Sequence, residues 1–561
     1  MMIRTYCYAA FAVLLLLVSC KKDEQDTVVD PPDPTPVSFT FTALKVNELS
    51  AGFSYYGIIR NSVFKISFSE AIDKTTIEGS EGGITLKDKN NTAVALTITY
   101  ADDNKTVIIT PKTPLLPVTK YFLDATTRLK SARGGSLLSG ITANFVTEVD
   151  PANKFPEISD EALLTLVQQQ TFKYFWDFGH PVSGMARERN TSGNTVTTGG
   201  TGFGLMAIIT GIHRNFISRA EGLARLQKII GFLKTADRFH GAYPHWIDGN
   251  TGKVIAFSTK DNGGDLVETS FLMEGLLTVR QYFNAADAAE SALRADINAL
   301  YGAVEWDWYR KDNSNTLYWH WSPNFNWEMN VPLRGWNEAL VTYVLAASST
   351  THSIPKAVYD SGWANGGSIK NGNSYYGVQL PLGPASGGPL FFAHYSFLGI
   401  NPMGLTDAYA NYETQNKAHA LIHYNYSKAN PKNFFGYGEN CWGLTASDDI
   451  NGYLAHEPAN DNGVISPTAA LASFPYTPEE SMKALKFFYY KLGDKIWNEY
   501  GFTDAFSLHD TWFATSTLAI DQGPVIVMIE NHRSALLWNL FMSCPEVKTG
   551  MKNLGFSSPK L

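Results

Sequence analysis

From Ile158 onward the apolar residues stop alternating and begin to recur every three or four positions, and no other feature limits the fold so strongly. Segments 162–178, 218–236 and 287–306 are amphipathic, whereas 204–213, 266–283, 338–347 and 525–542 are largely apolar. Segments 407–426 and 478–500 continue the series. A helix polar on one side suits an outer layer, and one apolar on every side suits an inner layer. Roughly ten to twelve helices, joined by long loops rich in Gly, Asn and Trp, predict a mainly α, two-layer toroid over 157–561. An irregular helical bundle is the alternative, since no fixed-period repeat is present.

Upstream the period is two. Ser38-Phe-Thr-Phe-Thr and Val63-Phe-Lys-Ile-Ser-Phe alternate, and Asn, Asp and Gly turns separate such runs, so 38–148 predicts a small β-sandwich and 149–156 a linker. Ser67-Phe-Ser-Glu-Ala-Ile-Asp and Leu115-Leu-Pro-Val-Thr-Lys-Tyr-Phe-Leu resemble bacterial Ig-like domains. Residues 1–19 have the layout of an export signal, with Arg4 ahead of an apolar run, 9–18, that is too short to span a bilayer. Leu17-Val-Ser-Cys20 resembles a bacterial lipobox, which implies lipid on Cys20 and an exported lipoprotein anchored at the outer membrane. The charged run Lys21-Lys-Asp-Glu24 resembles a surface-export tag, and the Pro-rich stretch within 20–37 predicts a stiff tether. Cys441 and Cys544 remain in the folded part and could pair in an oxidising compartment. No cysteine spacing suggests zinc.

A net charge of −8 argues against nucleic acid as partner. Many of the 13 Trp stand beside Asn, His, Gly or charged residues, where flat rings suit sugars, although core packing accounts for more than half of them.

The densest chemistry lies in Asp261-Asn-Gly-Gly-Asp265-Leu-Val-Glu268, two carboxylates one helical turn apart beside a glycine turn. The same Asp-x-x-Glu spacing makes a capping box, with Asp265 as N-cap and Glu268 at N3, and the two uses can coexist. Glu338 and Asp521 also stand at the heads of apolar helices, where each could serve only as a cap. In a toroid those heads can gather at one end and make an acidic groove. The polar, aromatic loops add candidate sugar contacts at Arg187, Trp246, Asp261, Trp336, Trp442 and Glu530. Thr197-Thr-Gly-Gly-Thr-Gly-Phe-Gly lacks the Lys of a phosphate loop, so its glycines are read as permitting close approach to a helix start or ligand. His419 and His423 have metal-like spacing but are expected on a solvated outer face. Two carboxylates across a groove are the equipment of glycoside hydrolysis.

Gly-Gly-Asp265-Leu-Val-Glu268-Thr-Ser-Phe, Gly-Trp336-Asn-Glu338 and Ala-Ile-Asp521-Gln-Gly-Pro together resemble the glucoamylase-like domain of bacterial endo-β-1,2-glucanases, glycoside hydrolase family 144. The resemblance covers about residues 155–558 and implies an (α/α)6 toroid, no cofactor or metal, anomeric inversion, and endo cleavage of linear β-1,2-glucan into short sophorooligosaccharides. It makes Asp265, Glu268, Glu338 and Asp521 the candidate catalytic set. Inverting enzymes hold acid and base about 6.5–9.5 Å apart, which is wide for Asp265 and Glu268 alone. Glu338 is therefore the candidate acid, and Asp265 or Asp521 the side that positions water. The chain is expected to act as a monomer on a β-glucan. Hydrolysis or transglycosylation on another glucan, and non-catalytic glycan binding, are the competing readings.

Overall fold

The computed structural model describes residues 35–77 and 82–561. The predicted signal and Cys20, with nearly all of the tether, lie outside the described residues.

The N-terminal module is a sandwich of two four-stranded sheets. Its strands are β1 Phe41–Val46, β2 Ser54–Ile58, β3 Phe64–Phe68, β4 Ile84–Asp88, β5 Leu96–Ala101, β6 Thr106–Pro111, β7 Lys120–Ala125 and β8 Ile141–Thr147. One sheet runs β1-β3-β6-β5, and the other β2-β8-β7-β4 with β2 and β8 parallel. The alternation seen in the sequence sends Phe64, Ile66, Val107, Leu123 and Phe145 into one core between them.

The rest of the described chain is helical: α1 Asp160–Trp176, α2 Thr198–His213, α3 Arg219–Leu233, α4 Leu266–Tyr282, α5 Ala288–Gly302, α6 Leu340–Ser348, α7 Lys356–Ser361, α8 Tyr412–Ala429, α9 Pro467–Leu471, α10 Pro478–Ile496, α11 Ala519–Ser534, α12 Leu536–Phe541 and α13 Pro545–Leu554. α11, α2, α4 and α6 pack side by side, 3-10 turns over Leu390–Phe397 follow α6, and α9 closes back onto α11. These six form the inner ring. α1, α3, α5, α8, α10 and α13 pack outside it, which makes an (α/α)6 toroid. Every residue of α6, and of α2 from Thr198 to Ile212, is buried, as helices without a polar face require.

The glycine-rich run proved to be helix. α2 begins at Thr198, six residues before the predicted start, because its glycines are what let α2 reach α4. A Cβ on Gly202 would stand 2.1 Å from the Phe271 carbonyl, and one on Gly275 2.2 Å from that of Gly202. No other residue tolerates that approach, so the helix accepts glycine's low propensity.

A further expectation fails here, and two readings that the sequence left open are resolved. His419 and His423 are fully buried, not solvated, and both rings bond the Gly388 carbonyl at 2.8 and 2.9 Å. Burial pushes His419 down to about 4 and His423 further down. Cys441 and Cys544 are both free thiols in the core, not a pair. Glu338 caps nothing, because α6 starts after it and its N-cap is Ala339.

Candidate active site

Because the inner helices α2, α4, α6 and α11 share one direction, their heads collect Glu268, Glu338 and Asp521 at one end of the ring. Each head carries the positive end of a helix dipole, which suits carboxylates.

The α4 head makes one wall. Here β12 Gly264–Asp265 pairs with β13 His320–Trp321, placing His320 opposite Asp265. Asp265 is buried and caps α4, accepting the Glu268 N–H at 2.9 Å. Its second oxygen meets His245 Nδ1 at 3.0 Å and lies 3.7 Å from His320 Nε2. Burial pushes its pKa up, but the His245 bond, the two imidazoles and the cap outweigh this and hold it below the usual range. His245 is desolvated, yet the charges of Glu268, Asp265 and Asp261 raise it to about 9. At neutral pH this pair is an imidazolium and a carboxylate. Asp261, 3.3 Å from His320, is pushed up to about 7 by burial and by Asp265.

Glu268 does not complete the capping box. Its carboxylate crosses to the first turn of α2 and accepts the Gly199 N–H at 2.7 Å. Burial raises its pKa. Glu338 precedes α6 on a turn in which Asn337 accepts the Ala339 N–H at 2.9 Å and Trp336 is buried. No other side chain among the described residues donates to its carboxyl, and burial, with the charges of Glu268 and Asp265, pushes it up to about 7.

The α11 head makes the other wall. Asp521 lies inside the first turn of α11, not ahead of it, and makes no cap. Both its carboxyl oxygens are buried without a side-chain or backbone donor. Asp504 stands within hydrogen-bonding reach of it, and burial plus that neighbour raise Asp521 well above the carboxylate range. Arg189 is the nearby cation, but it is engaged by Glu188 at 3.0 Å and Asp448 at 3.1 Å. Between the walls sits Tyr395, which feels Asp521, Tyr453, Glu338 and Glu268 at once.

The other sugar-contact candidates divide. Asp261 joins the α4 wall. Trp246 lies on β10 Trp246–Asp248, which pairs with β9 Thr195–Thr197, and it packs edge-on against exposed Phe257 beside His245. Arg187 turns away, its guanidinium over Phe178 at 4.6 Å. Trp336 and Trp442 are core residues, 4% and 0% exposed, that anchor their loops and present no platform. Glu530 is fully buried in the second half of α11, paired with Arg214 at 2.7 Å.

Residues that the sequence reading did not single out are His245, His320, Asp504, Tyr395 and Tyr453, whereas Arg189 and Asp448 were visible only as members of polar loops. His245 and His320 lay in the aromatic loops, where the tryptophans drew attention instead. Asp504 gave no local signal. The grouping able to hold a metal ion among the described residues is His245, Asp261 and Asp265, with ligand atoms within 4.8 Å of one another. There the His245–Asp265 proton would compete with a cation.

With the geometry in place, the comparisons acquire a meaning. The Glycoamylase family model, that of a glucoamylase, matches residues 330–545, and a bacterial Ig-like domain model matches 40–147. An exo β-1,2-glucooligosaccharide sophorohydrolase (non-reducing end) from Parabacteroides distasonis is 49% identical over 425 residues, 72% of this chain. The chain spans 59% of that relative's length. An endo-β-1,2-glucanase from Chitinophaga pinensis, solved with sophorotriose and glucose, is 54% identical with a TM-score of 0.71, covering 72% of this chain and 100% of that one. A β-1,2-glucanase structure from Parabacteroides distasonis is 39% identical with a TM-score of 0.70, covering 93% of this chain and 74% of that one.

Proposed function

The chain belongs to the bacterial β-1,2-glucanases of glycoside hydrolase family 144, and from that premise we propose that it is an endo-acting, inverting hydrolase of linear β-1,2-glucan that releases short sophorooligosaccharides. The observation that carries the reading is Glu338, a buried carboxyl with no donor from another side chain, raised to about 7 and so able to hold a proton at neutral pH. Glu338 protonates the leaving glycosidic oxygen. Asp521, at the head of a different inner helix, stands on the side that activates water, directly or through a sugar hydroxyl. The width that a water needs lies between separate helices, not within the one turn that joins Asp265 and Glu268. Asp265, locked by a cap and an imidazolium, is a fixed negative charge that favours the oxocarbenium-like transition state. Glu268 and Asp261 are placed to hold sugar hydroxyls.

A second reading is exo release of sophorose. It is favoured by the likeness to the sophorohydrolase. Linear β-1,2-glucan separates the two. Endo cleavage lowers viscosity early and gives a mixture of lengths, whereas exo cleavage gives sophorose from the first minutes. NMR of the nascent anomer tests inversion, and appearance of the β-anomer with no α-anomer would overturn it. Absence of new reducing ends would leave a non-catalytic glycan binder.

We also propose that the protein is exported and lipid-anchored at Cys20, on the support of its lipobox-like sequence. Labelled palmitate incorporated by the wild type but not by Cys20→Ser would be the expected result.

A further inference from the structure

We propose that Asp504 is a positioning residue that shares one proton with Asp521, and thereby fixes the form in which Asp521 meets water or a sugar hydroxyl. The inference rests on the hydrolase reading above.

Asp504 is held rigidly. Its backbone N–H donates to the Ser516 carbonyl at 3.0 Å, and its carbonyl accepts the Ser466 hydroxyl at 2.6 Å. One carboxyl oxygen accepts the Asp448 N–H at 2.6 Å, which leaves the other, buried and without a donor, for Asp521. Thr468 fixes the partner by donating to the Asp521 carbonyl at 2.8 Å. Both carboxyls line a cavity of about 10 Å³ closed by Pro467, Thr468, Phe502, Thr503, Gln522 and Val525. That is room for about one water, too little to solvate two charges. Two buried carboxyls in contact cannot both ionise, so one proton stays between them.

The groups that face the pair are Tyr395, Asp448 and Tyr453, which stand opposite each other on the paired strands Ala446–Asp449 and Gly452–Ala455, and Arg189 with its partner Glu188. Among the described residues, Arg189 is the cation that acts on both. Since it already bonds two other carboxylates, it does not replace the proton.

At rest the proton lies on Asp521, the more strongly raised of the two; in the working form it has passed to Asp504, which donates it as a hydrogen bond to the Asp521 carboxylate. The second Asp521 oxygen accepts the proton released when water attacks. The pair is then neutral, and it returns one proton to solvent as product leaves. At higher pH the shared proton departs, the pair becomes a dianion, and its geometry is lost.

The test compares Asp504→Asn and Asp504→Ala. The amide of Asn still donates to Asp521 but cannot titrate. Asn should cost about tenfold in kcat and Ala roughly 10²-fold, with KM unchanged in both. In the wild type the alkaline limb of log kcat should approach a slope of −2, because Glu338 and the pair each lose a proton. In Asp504→Asn it should fall to −1. Infrared difference spectra between neutral and alkaline pH should show loss of a protonated-carboxyl band in addition to that of Glu338, and Asp504→Asn should lack this additional band. The spectra need no turnover, so they separate failure of this proposal from failure of the hydrolase assignment. Wild-type kcat and limb slope in both variants, or an Asp504→Asn spectrum that keeps every protonated-carboxyl band of the wild type, would overturn it.

Discussion

Asp265 and Asp521 stand at matching places, each at the head of an inner helix and each buried, yet their chemistry is opposite. Asp265 caps its helix and takes an imidazolium on its other oxygen, so it is ionised. Asp521 sits inside its first turn, caps nothing and has an acid as neighbour, so it holds on to a proton. Position along a helix therefore decides little. What decides is whether a cation or a second acid stands opposite. A carboxylate with both oxygens engaged by donors is an electrostatic fixture, whereas one whose oxygens lack donors and whose pKa is raised can exchange protons.

The sharpest way to break this comparison is to remove a charge from each set. Glu338→Gln should lose roughly 10²–10⁴-fold in kcat with little change in KM, and Asp521→Asn a similar factor. Asp265→Asn should lose activity too, but with a signature of its own. It strands the His245 imidazolium, and breaking such a buried pair costs about 3–5 kcal/mol. A lower melting temperature in Asp265→Asn alone, with Glu338→Gln and Asp521→Asn melting near the wild type, is the expected pattern. If Asp521→Asn were the least stable of the three, the assignment of fixture and proton-carrier would have to be exchanged.

The pH dependence sharpens the contrast. Glu338 must be protonated to act, so kcat should fall as pH rises through about 7. Stability should follow the other wall. His245 is raised to about 9, so its contribution is complete below its unfolded value near 6.5 and is lost as pH rises through 9. The melting temperature measured from pH 6 to 10 should therefore drop in the wild type and stay flatter in Asp265→Asn.

How much of this was written locally in the chain follows from the range of each interaction. The two layers were legible because burial is recorded in each helix's own composition, as the uniform apolarity of 340–348 shows. The four carboxylates were legible because each begins a recognisable segment. The glycine run was misassigned because its helicity depends on α4 pressing against it from across the ring. His245 and His320 were hidden because their partner, Asp265, lies 20 residues away from one and on a separate strand from the other. Asp504 was hidden for the same reason, since its meaning depends wholly on Asp521. Trp442 and Glu530 misled because a residue beside polar neighbours in sequence can still point into a core, as the 0% exposure of both shows.

The smallest effect comes from outside the ring. The loop that leads from Asp504 to Phe513 is one on which the Ig-like module rests. Tyr56 stacks on His509 at 4.1 Å with planes 17° apart, and Lys89 donates to the Thr511 carbonyl at 2.7 Å. Among the described residues the α4 wall makes no such contact, being braced by its own strands β12 and β13. Tyr56→Ala removes one aromatic stack, worth about 0.5–1.5 kcal/mol beyond the area it buries. Its consequence should therefore be confined to one wall. The melting temperature should fall slightly and the alkaline limb of kcat should shift, while the pH range over which His245 contributes stability stays where it was. If Tyr56→Ala instead moved the His245 window and left the alkaline limb alone, the two walls would be coupled through the ring and could not be treated as separate devices.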